Sequence, residues 1–213
     1  MADAKVGNMR GPYAKTAAVR ARIIEACTGV FAESGYRATT MKEIAERAEI
    51  SQRGLVHHFG SKEELLAAVI EAREAELAPV MAPLGDAIGS FVSMLAVLAH
   101  DSERPGLIEL NSLLVAEGAS SEHPAHEHYQ ERYDGLRHYF ATAFDQLRES
   151  GDLNSELDSS SLASGFVGLL EGLQVQWLYN PDAIRIDVIL RAFLEAVIPD
   201  FALLSKKAVA FPA

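Results

Sequence analysis

The residues best suited to chemistry in this sequence stand in one short stretch, residues 51–58. Ser51, Gln52, Arg53 and His57 carry side chains that donate or accept hydrogen bonds, and they stand within about two helical turns of one another. Arginine can pair with guanine and glutamine with adenine, whereas serine and histidine suit phosphate oxygens. The combination therefore indicates contact with nucleic acid.

Two short helices joined by a tight turn are predicted to position these side chains. Thr40 and Glu43 form a capping box at the start of the first helix, and apolar residues then recur at helical steps. Ser51 is the N-cap candidate of the second helix, in which Leu55 and Phe59 face the core. A helix-turn-helix places the start of its second helix in the major groove. Because the spacing alone is a weak pattern, any small helical hairpin remains an alternative.

Residues 20–77 resemble the DNA-binding domain of the TetR family of transcriptional regulators. The matching stretches are 22–26, 31–36, 39–45 and 58–66. The resemblance implies a homodimer that binds a palindromic operator in double-stranded DNA, and a small-molecule effector that releases or retains it. Repression is the usual outcome in that family, so a repressor is expected, although the sequence does not show whether transcription is repressed or activated.

Two positions of the second helix depart from the family pattern. A glycine usually stands where this chain has Arg53, and a tyrosine that contacts phosphate usually stands where it has Val56. Arg53 can read guanine or clamp a phosphate, and both roles remain open. The missing tyrosine keeps an alternative function open, namely a helical ligand-binding or interaction protein that no longer binds DNA.

The predicted DNA contacts come from both short helices and from the start of the next one. Gln52 can read adenine or contact the backbone, Arg53 keeps the two roles given above, and the free N–H groups at the helix starts suit phosphate. The full set is Thr40, Ser51, Gln52, Arg53, Gly54, His57, His58 and Lys62.

The charge distribution supports a nucleic-acid contact for the first part of the chain only. The 213-residue chain has a formal net charge of −11. Residues 1–62 carry ten Lys/Arg and six Asp/Glu, a balance of +4, whereas residues 63–213 carry nine and twenty-four, a balance of −15. A basic head on an acidic body is expected where only the head meets phosphate.

Several classes of protein are disfavoured by the sequence. With one cysteine, Cys27, no intrachain disulfide can form, and its place on the apolar face of a helix favours a buried thiol. No P-loop, nucleophile elbow, dinucleotide fingerprint or HExxH motif is present, so neither an enzyme nor a cofactor is expected. Residues 1–16 lack a signal-peptide core, and the apolar stretch 88–99 is too short for a bilayer, so a cytoplasmic protein without a membrane partner is expected.

The chain is predicted to be all-α with two domains. The predicted segments are a disordered arm at 1–15, a three-helix helix-turn-helix domain at 16–78 and a larger helical ligand-binding and dimerisation domain at 79–213. Periodicity predicts five helices in the larger domain, at about 84–100, 104–117, 124–150, 157–179 and 183–204, with a frayed tail at 205–213. The helix at 61–77 joins the two domains, so it is the natural lever between ligand and DNA.

An effector pocket is expected among the apolar and aromatic residues of the larger domain. Ligand cavities form in bundle cores, although such residues more often pack as ordinary core. Mostly apolar surroundings favour a lipophilic effector, which Asn111 and Gln174 can orient. The predicted lining is Phe91, Met94, Leu98, Asn111, Leu114, Tyr133, Phe140, Phe144, Gln174 and Trp177.

The last two predicted helices carry wide apolar faces, and the resemblance implies that they form the dimer interface as a four-helix bundle. Gly165, Gly168 and Gly172 make a strip of small residues that another helix can approach closely. The predicted interface residues are Leu162, Phe166, Leu169, Leu173, Ile189, Phe193 and Val197. The alternative is that these faces are buried within one subunit.

His123, His126 and His128 are the one cluster with a metal-like composition. Histidines at short spacing can bind Zn²⁺. However, Pro124 separates His123 from the following helix, and His126 and His128 point about 200° apart on an ideal helix. A polar loop and helix start is therefore the favoured interpretation, and no metal site is expected.

Overall fold

A computed structural model of the chain describes residues 12–79 and 86–206, with side chains from residue 16 onward. Within these ranges every regular element is a helix, which confirms the predicted all-α class. The arm predicted at 1–15 and the tail predicted at 205–213 fall mostly outside the described residues, as does the boundary region near 78–83. No described helix is both long enough and apolar enough to cross a membrane.

The described residues form ten helices. Their bounds are α1 Pro12–Ala38, α2 Met41–Arg47, α3 Gln52–His58, α4 Lys62–Leu77, α5 Ala87–Ser102, α6 Pro105–Gly118, α7 His126–Ser150, α8 Ser159–Tyr179, α9 Ile186–Val197 and α10 Phe201–Leu204.

The single helix predicted at 183–204 is wrong, because the chain forms two helices there. Pro199 has no N–H to donate and disfavours a helical conformation in the residue before it. Ile198 accordingly leaves the helical region, with φ −126° and ψ 86°. Gly35 interrupts α1 in a similar way, with φ 76° and ψ 167°, close to the predicted end of the first helix.

Side-chain caps fix the starts of the short helices. The Thr40 hydroxyl accepts from the Glu43 N–H at 3.3 Å, and the Glu43 carboxylate accepts from the Thr40 N–H at 2.7 Å, so the predicted capping box is formed. Ser51 caps α3 and Ser61 caps α4 through the N–H groups three residues ahead of each. These caps set where α2, α3 and α4 begin and therefore how they turn relative to one another.

One core lies beneath the helix-turn-helix and extends beyond it. Ile23, Phe31, Leu55 and Phe59 are fully buried, which confirms the core role predicted for Leu55 and Phe59. The same cluster includes Leu110 and Leu114 of α6, Tyr129 of α7 and Ala125, which precedes α7. The N-terminal helices are thus packed directly against the rest of the chain. Burial also raises the pKa of the Cys27 thiol to about 12, as suits an inert core residue.

A second core joins α5, α7, α8, α9 and α10. Phe91 lies at its centre, with ring centroids 5.4 Å from Phe140, 4.9 Å from Phe144 and 5.4 Å from Phe166. Phe201 on α10 is fully buried in the same cluster. Contacts between aromatic rings at these separations fix the positions of α5, α7 and α8 relative to one another.

Candidate functional site

The exposed face of α3 carries four side chains that point away from the core. Gln52, Arg53, Val56 and His57 are exposed, whereas Leu55, between them in sequence, is fully buried. Ser51 and Thr40 lie exposed at the starts of α3 and α2. Five of the eight predicted DNA-contacting residues are therefore exposed, and four of these five lie on α3 or at its N-cap.

Arg20 on α1 anchors the end of α3, a role that the sequence did not indicate. Its guanidinium donates to the carbonyl oxygen of His58 at 2.5 Å and lies 4.0 Å from the centre of the Phe59 ring. A charge-assisted hydrogen bond and a cation–π contact together restrain the orientation of α3. His58 is half-buried beside this contact, with its ring 5.5 Å from that of His57.

Lys62 is held by the backbone of the turn between α1 and α2. Its ammonium donates to the carbonyl oxygens of Tyr36 at 2.9 Å and Thr39 at 2.8 Å, and lies 4.4 Å from the centre of the Tyr36 ring. These contacts fasten α4 to the helix-turn-helix. The predicted contact between Lys62 and phosphate stays a prediction, as do the contacts predicted for Gly54 and the exposed residues.

A cavity of about 230 Å³ lies between α4, α5, α6, α7 and α8. Six of the ten predicted pocket residues line it: Met94, Leu98, Asn111, Leu114, Phe140 and Gln174. Phe91 and Phe144 are instead fully buried in the aromatic core, and Tyr133 and Trp177 are half-buried beside it. Three of the lining helices, α4, α6 and α7, also contribute residues to the core beneath the helix-turn-helix, so the cavity adjoins both parts of the chain.

The cavity wall also contains charged residues that the sequence analysis did not predict. Arg73 and Glu74 come from α4, Asp101 from α5, Arg132 from α7 and Glu171 from α8. One nitrogen of Arg73 lies 2.5 Å from both carboxylate oxygens of Asp101, which joins α4 to α5. These residues were missed because charged side chains are ordinarily exposed on helices, and the sequence alone does not show which ones face inward.

Glu171 differs from Arg73 and Asp101 in making no ion pair with another residue that the structure describes. Burial raises the pKa of its carboxyl group, although the Arg132 charge and a hydrogen bond from the Tyr133 hydroxyl act in the opposite direction. Burial likewise raises the pKa of the neighbouring Tyr129 to about 12. A signal was present in the sequence, since Glu171 is the one charged residue between 159 and 179. A lone charge in an otherwise uncharged helix is a candidate for function.

Glu117, near the end of α6, connects the cavity helices to the helix-turn-helix. Its carboxylate oxygens accept from the backbone N–H groups of Tyr36 at 2.8 Å and Arg37 at 3.2 Å. The positive φ of Gly35 presents these groups, and a Cβ at Gly35 would lie only 3.0 Å from the carboxylate. Since α6 also carries Asn111 and Leu114 in the cavity wall, one rigid helix touches both sites.

The three histidines near the start of α7 face different partners. His123 is buried, with its ring 4.8 Å from that of Tyr36 and its Nε2 3.8 Å from Glu117. His126 Nδ1 lies 2.8 Å from the carbonyl oxygen of Gly118, and His128 lies 3.6 Å from Glu74. No group of His, Cys, Asp and Glu in the described residues has an arrangement that would hold a metal ion.

The predicted dimer residues divide between the interior and the surface. Leu162, Phe166 and Leu173 are at most 4% exposed within the single chain, whereas Leu169, Ile189, Phe193 and Val197 are half-buried. The predicted small-residue strip is open, because a Cβ at Gly165, Gly168 or Gly172 would meet nothing within 4 Å. Exposed apolar residues flank this strip, namely Val175, Tyr179 and Val188. The interface itself stays a prediction.

Comparisons with known proteins extend over both parts of the chain. The profile described as "Bacterial regulatory proteins, tetR family" matches residues 23–69, and that described as "BetI-type transcriptional repressor, C-terminal" matches residues 93–199. The HTH-type transcriptional regulator SrpR of Pseudomonas putida is 26% identical over 172 residues, which cover 79% of this chain and 81% of that protein.

Solved structures share the fold at lower identity. A complex of SmeT with triclosan is 22% identical, with a TM-score of 0.69 and coverage of 85% of this chain and 92% of that one. SmeT is described as the repressor of a Stenotrophomonas maltophilia multidrug efflux pump. A transcriptional regulator from Saccharomonospora viridis in complex with choline is 19% identical, with a TM-score of 0.70 and coverage of 85% and 98%.

Proposed function

This chain belongs to the TetR family of transcriptional regulators, and from that membership we propose that it is a repressor that binds a near-palindromic operator as a homodimer until a small effector enters its cavity. As the sequence predicted, it is a DNA-binding regulator and not an enzyme. The proposal includes four further points: the form of the operator, the chemistry of the effector, the dimer, and the cytoplasmic location that access to DNA requires.

The observation that carries the proposal is the placement of α6 between the two sites. Asn111 and Leu114 on α6 line the cavity, while Glu117 on the same helix accepts the N–H groups of Tyr36 and Arg37. An effector that displaces α6 therefore pulls on the backbone that leads into α2. A coupling free energy of about 1–3 kcal/mol would change operator affinity roughly 5- to 150-fold.

The DNA contacts are assigned to the exposed face of α3. Gln52 and Arg53 read base edges, since glutamine and arginine can each make paired hydrogen bonds in the major groove. Val56 is 48% exposed, and its methyl groups suit contact with a thymine methyl group. In a homodimer the two copies of α3 would enter successive major grooves, about 34 Å apart, so the operator should be nearly palindromic.

The proposed effector site is the cavity lined by α4, α5, α6, α7 and α8. Its volume of about 230 Å³ is below the range of about 300–1,000 Å³ that is common for pockets of drug-sized ligands, so the effector is compact or the cavity widens around it. Triclosan and choline, which neighbouring structures hold, are both compact molecules and support a ligand of this size.

Selection of binding sites from random duplex DNA tests the DNA-binding part of the proposal. The purified protein at moderate salt should enrich a near-palindrome with half-sites about one helical turn apart. Its affinity should fall steeply with salt as counterions are released from phosphate. Recovery of no sequence above background by a folded dimer would favour the alternative, a ligand-binding protein that has lost DNA binding.

A further inference from the structure

Gln174 is a buried polar side chain that faces the cavity without a partner. The residue is 7% exposed and lines the cavity from α8. Its side-chain amide makes no hydrogen bond with any other residue that the structure describes. Among the described residues, this amide is not one of the unpartnered polar atoms that are sealed from solvent, so it faces the open space of the cavity, where a polar atom of a bound molecule can pair with it.

Glu171 stands three residues before Gln174 and lines the same cavity. Among the described residues, no lysine, arginine or histidine lies within ion-pair distance of its carboxylate. The groups around it are Arg132 and the hydroxyl groups of Tyr129 and Tyr133, all from α7. The raised pKa of Glu171 shows that these neighbours do not offset the cost of its burial.

The remaining charges of the wall favour a cation over an anion. Arg73 is already bound to both carboxylate oxygens of Asp101, so its charge is neutralised. Arg132 is then the one remaining cation among the described lining residues, opposite two carboxylates, Glu74 and Glu171. An anionic ligand would add to this negative excess, whereas a neutral ligand would leave it unchanged.

Most of the remaining wall is apolar and includes Met94, Leu98, Leu114 and Phe140. We propose that the effector is a compact lipophilic amine whose protonated nitrogen donates to the carboxylate of Glu171 and the side-chain carbonyl of Gln174, while its apolar body lies against these four residues. This inference rests on the proposed function, because it assumes that the effector binds in this cavity.

Calorimetric titration of the full chain with three matched probes tests the proposal. The probes are phenylpropylamine, phenylpropanol and phenylpropanoate, which share an apolar body and differ in the charge of the end group. The amine should bind at least about 10-fold more tightly than the alcohol, as a charge-assisted hydrogen bond provides. Glu171→Gln should remove this preference, whereas Glu149→Gln, at an exposed position of α7, should preserve it.

A second variant tests the other half of the site. Gln174→Leu keeps a side chain of similar size without the amide. The variant should bind the amine more weakly, while the ratio of its affinities for the alcohol and the carboxylate should stay unchanged. Tightest binding by the carboxylate, no binding by the amine, or an amine preference that survives Glu171→Gln would overturn the proposal.

Operator binding by the same preparations, measured without any probe, separates the two proposals. If the chain binds its operator and shows no amine preference, the effector class fails and the proposed function stands. If the chain binds no operator and prefers the amine, the cavity is an amine-binding site as proposed, but the proposed regulatory role fails.

Discussion

Arg53 is the residue of α3 that we propose has the largest influence on operator choice. It lies exposed near the start of α3 and makes no ion pair or hydrogen bond with another described residue. Its guanidinium is therefore available to the major groove. Beside it, Val56 offers an apolar surface where the family pattern has a tyrosine. In the proposed complex, α3 would therefore read DNA with fewer hydrogen bonds and with an added contact to methyl groups.

Replacement of Arg53 by alanine should weaken operator binding by about 1–3 kcal/mol and relax the preference at one base pair in each half-site. Arg53→Lys keeps the charge but lacks the two-pronged geometry, so it should retain phosphate affinity and still lose the base preference. Fluorescence anisotropy with single-base operator variants measures both effects. An equal loss on every sequence would make Arg53 a phosphate contact instead.

Glu171 should carry a stability cost that depends on pH. Because burial raises its pKa in the folded state, folding is helped by this group at low pH, and that help is lost as the pH rises through the raised pKa. Glu171→Gln should therefore raise the Tm near neutral pH, and the gain should shrink toward about pH 4, where an ordinary glutamate also becomes protonated. Thermal melts across this range test the prediction. A lower Tm for the variant at neutral pH would instead indicate a stabilising ion pair.

Residue roles were predictable where local spacing determines them. The helical repeat predicted that Leu55 and Phe59 are core residues, because a short amphipathic helix has one buried face. The same reasoning missed Glu171 and Glu117, since their roles depend on contacts with α7 and α1, which are distant in sequence. Sequence spacing alone does not reveal such contacts.

Helix α6 is the element on which the proposed coupling depends. It lines the cavity along much of its length, and near its end Glu117 accepts hydrogen bonds from the backbone of Tyr36 and Arg37. Helix α4 provides a second connection, because Lys62 at its start fastens the turn after α1 and Arg73 further along lines the cavity. Two rigid helices thus join the cavity to the DNA-binding surface.

Replacement of Glu117 by glutamine should loosen the attachment of α6. Hydrogen bonds to a charged acceptor contribute about 1.5–3 kcal/mol, and a neutral amide retains only part of this. Hydrogen exchange should accelerate at the N–H groups of Tyr36 and Arg37 in the variant. Glu122→Gln, an exposed neighbour, is the control and should leave these rates unchanged. Equal rates in wild type and Glu117→Gln would rule out the attachment.

Most elements were predictable from periodicity because capped amphipathic helices are local features. The exception was the last long helix, which Pro199 divides into α9 and α10. The division into two domains stays a prediction, and it did not indicate how the N-terminal helices pack against the rest of the chain. Leu110, Leu114 and Tyr129 belong to the core beneath the helix-turn-helix, so the N-terminal helices share a core with residues far along the chain.

At the scale of the molecule, the charge distribution and the open face of α8 favour a dimer with two basic heads. Residues 1–62 have a formal charge of +4 within a chain of −11. The face that includes Gly165, Gly168 and Gly172 has room for a second helix. A partner copy seated there would cover exposed Val175 and Tyr179, which is a reason for apolar side chains at those positions.

Gly168→Arg should break the proposed dimer, because it places a long charged side chain in the middle of this face. Gly135→Arg is the matched control, since Gly135 is also a helical glycine whose added Cβ would meet nothing within 4 Å. Analytical ultracentrifugation should show monomers for the first variant and dimers for the second. A dimer that persists in Gly168→Arg would place the interface on another face.

The central claim, that the state of the cavity controls operator affinity, can be tested without knowledge of the effector. Val97 on α5 lines the cavity, so Val97→Phe fills part of it, whereas Val92→Phe on the same helix adds equal bulk outside the lining. The measurement is operator affinity by fluorescence anisotropy, with thermal melts to show that both variants are folded. Val97→Phe should bind the operator roughly 5- to 150-fold more weakly than Val92→Phe. Equal affinities in the two folded variants would contradict the claim.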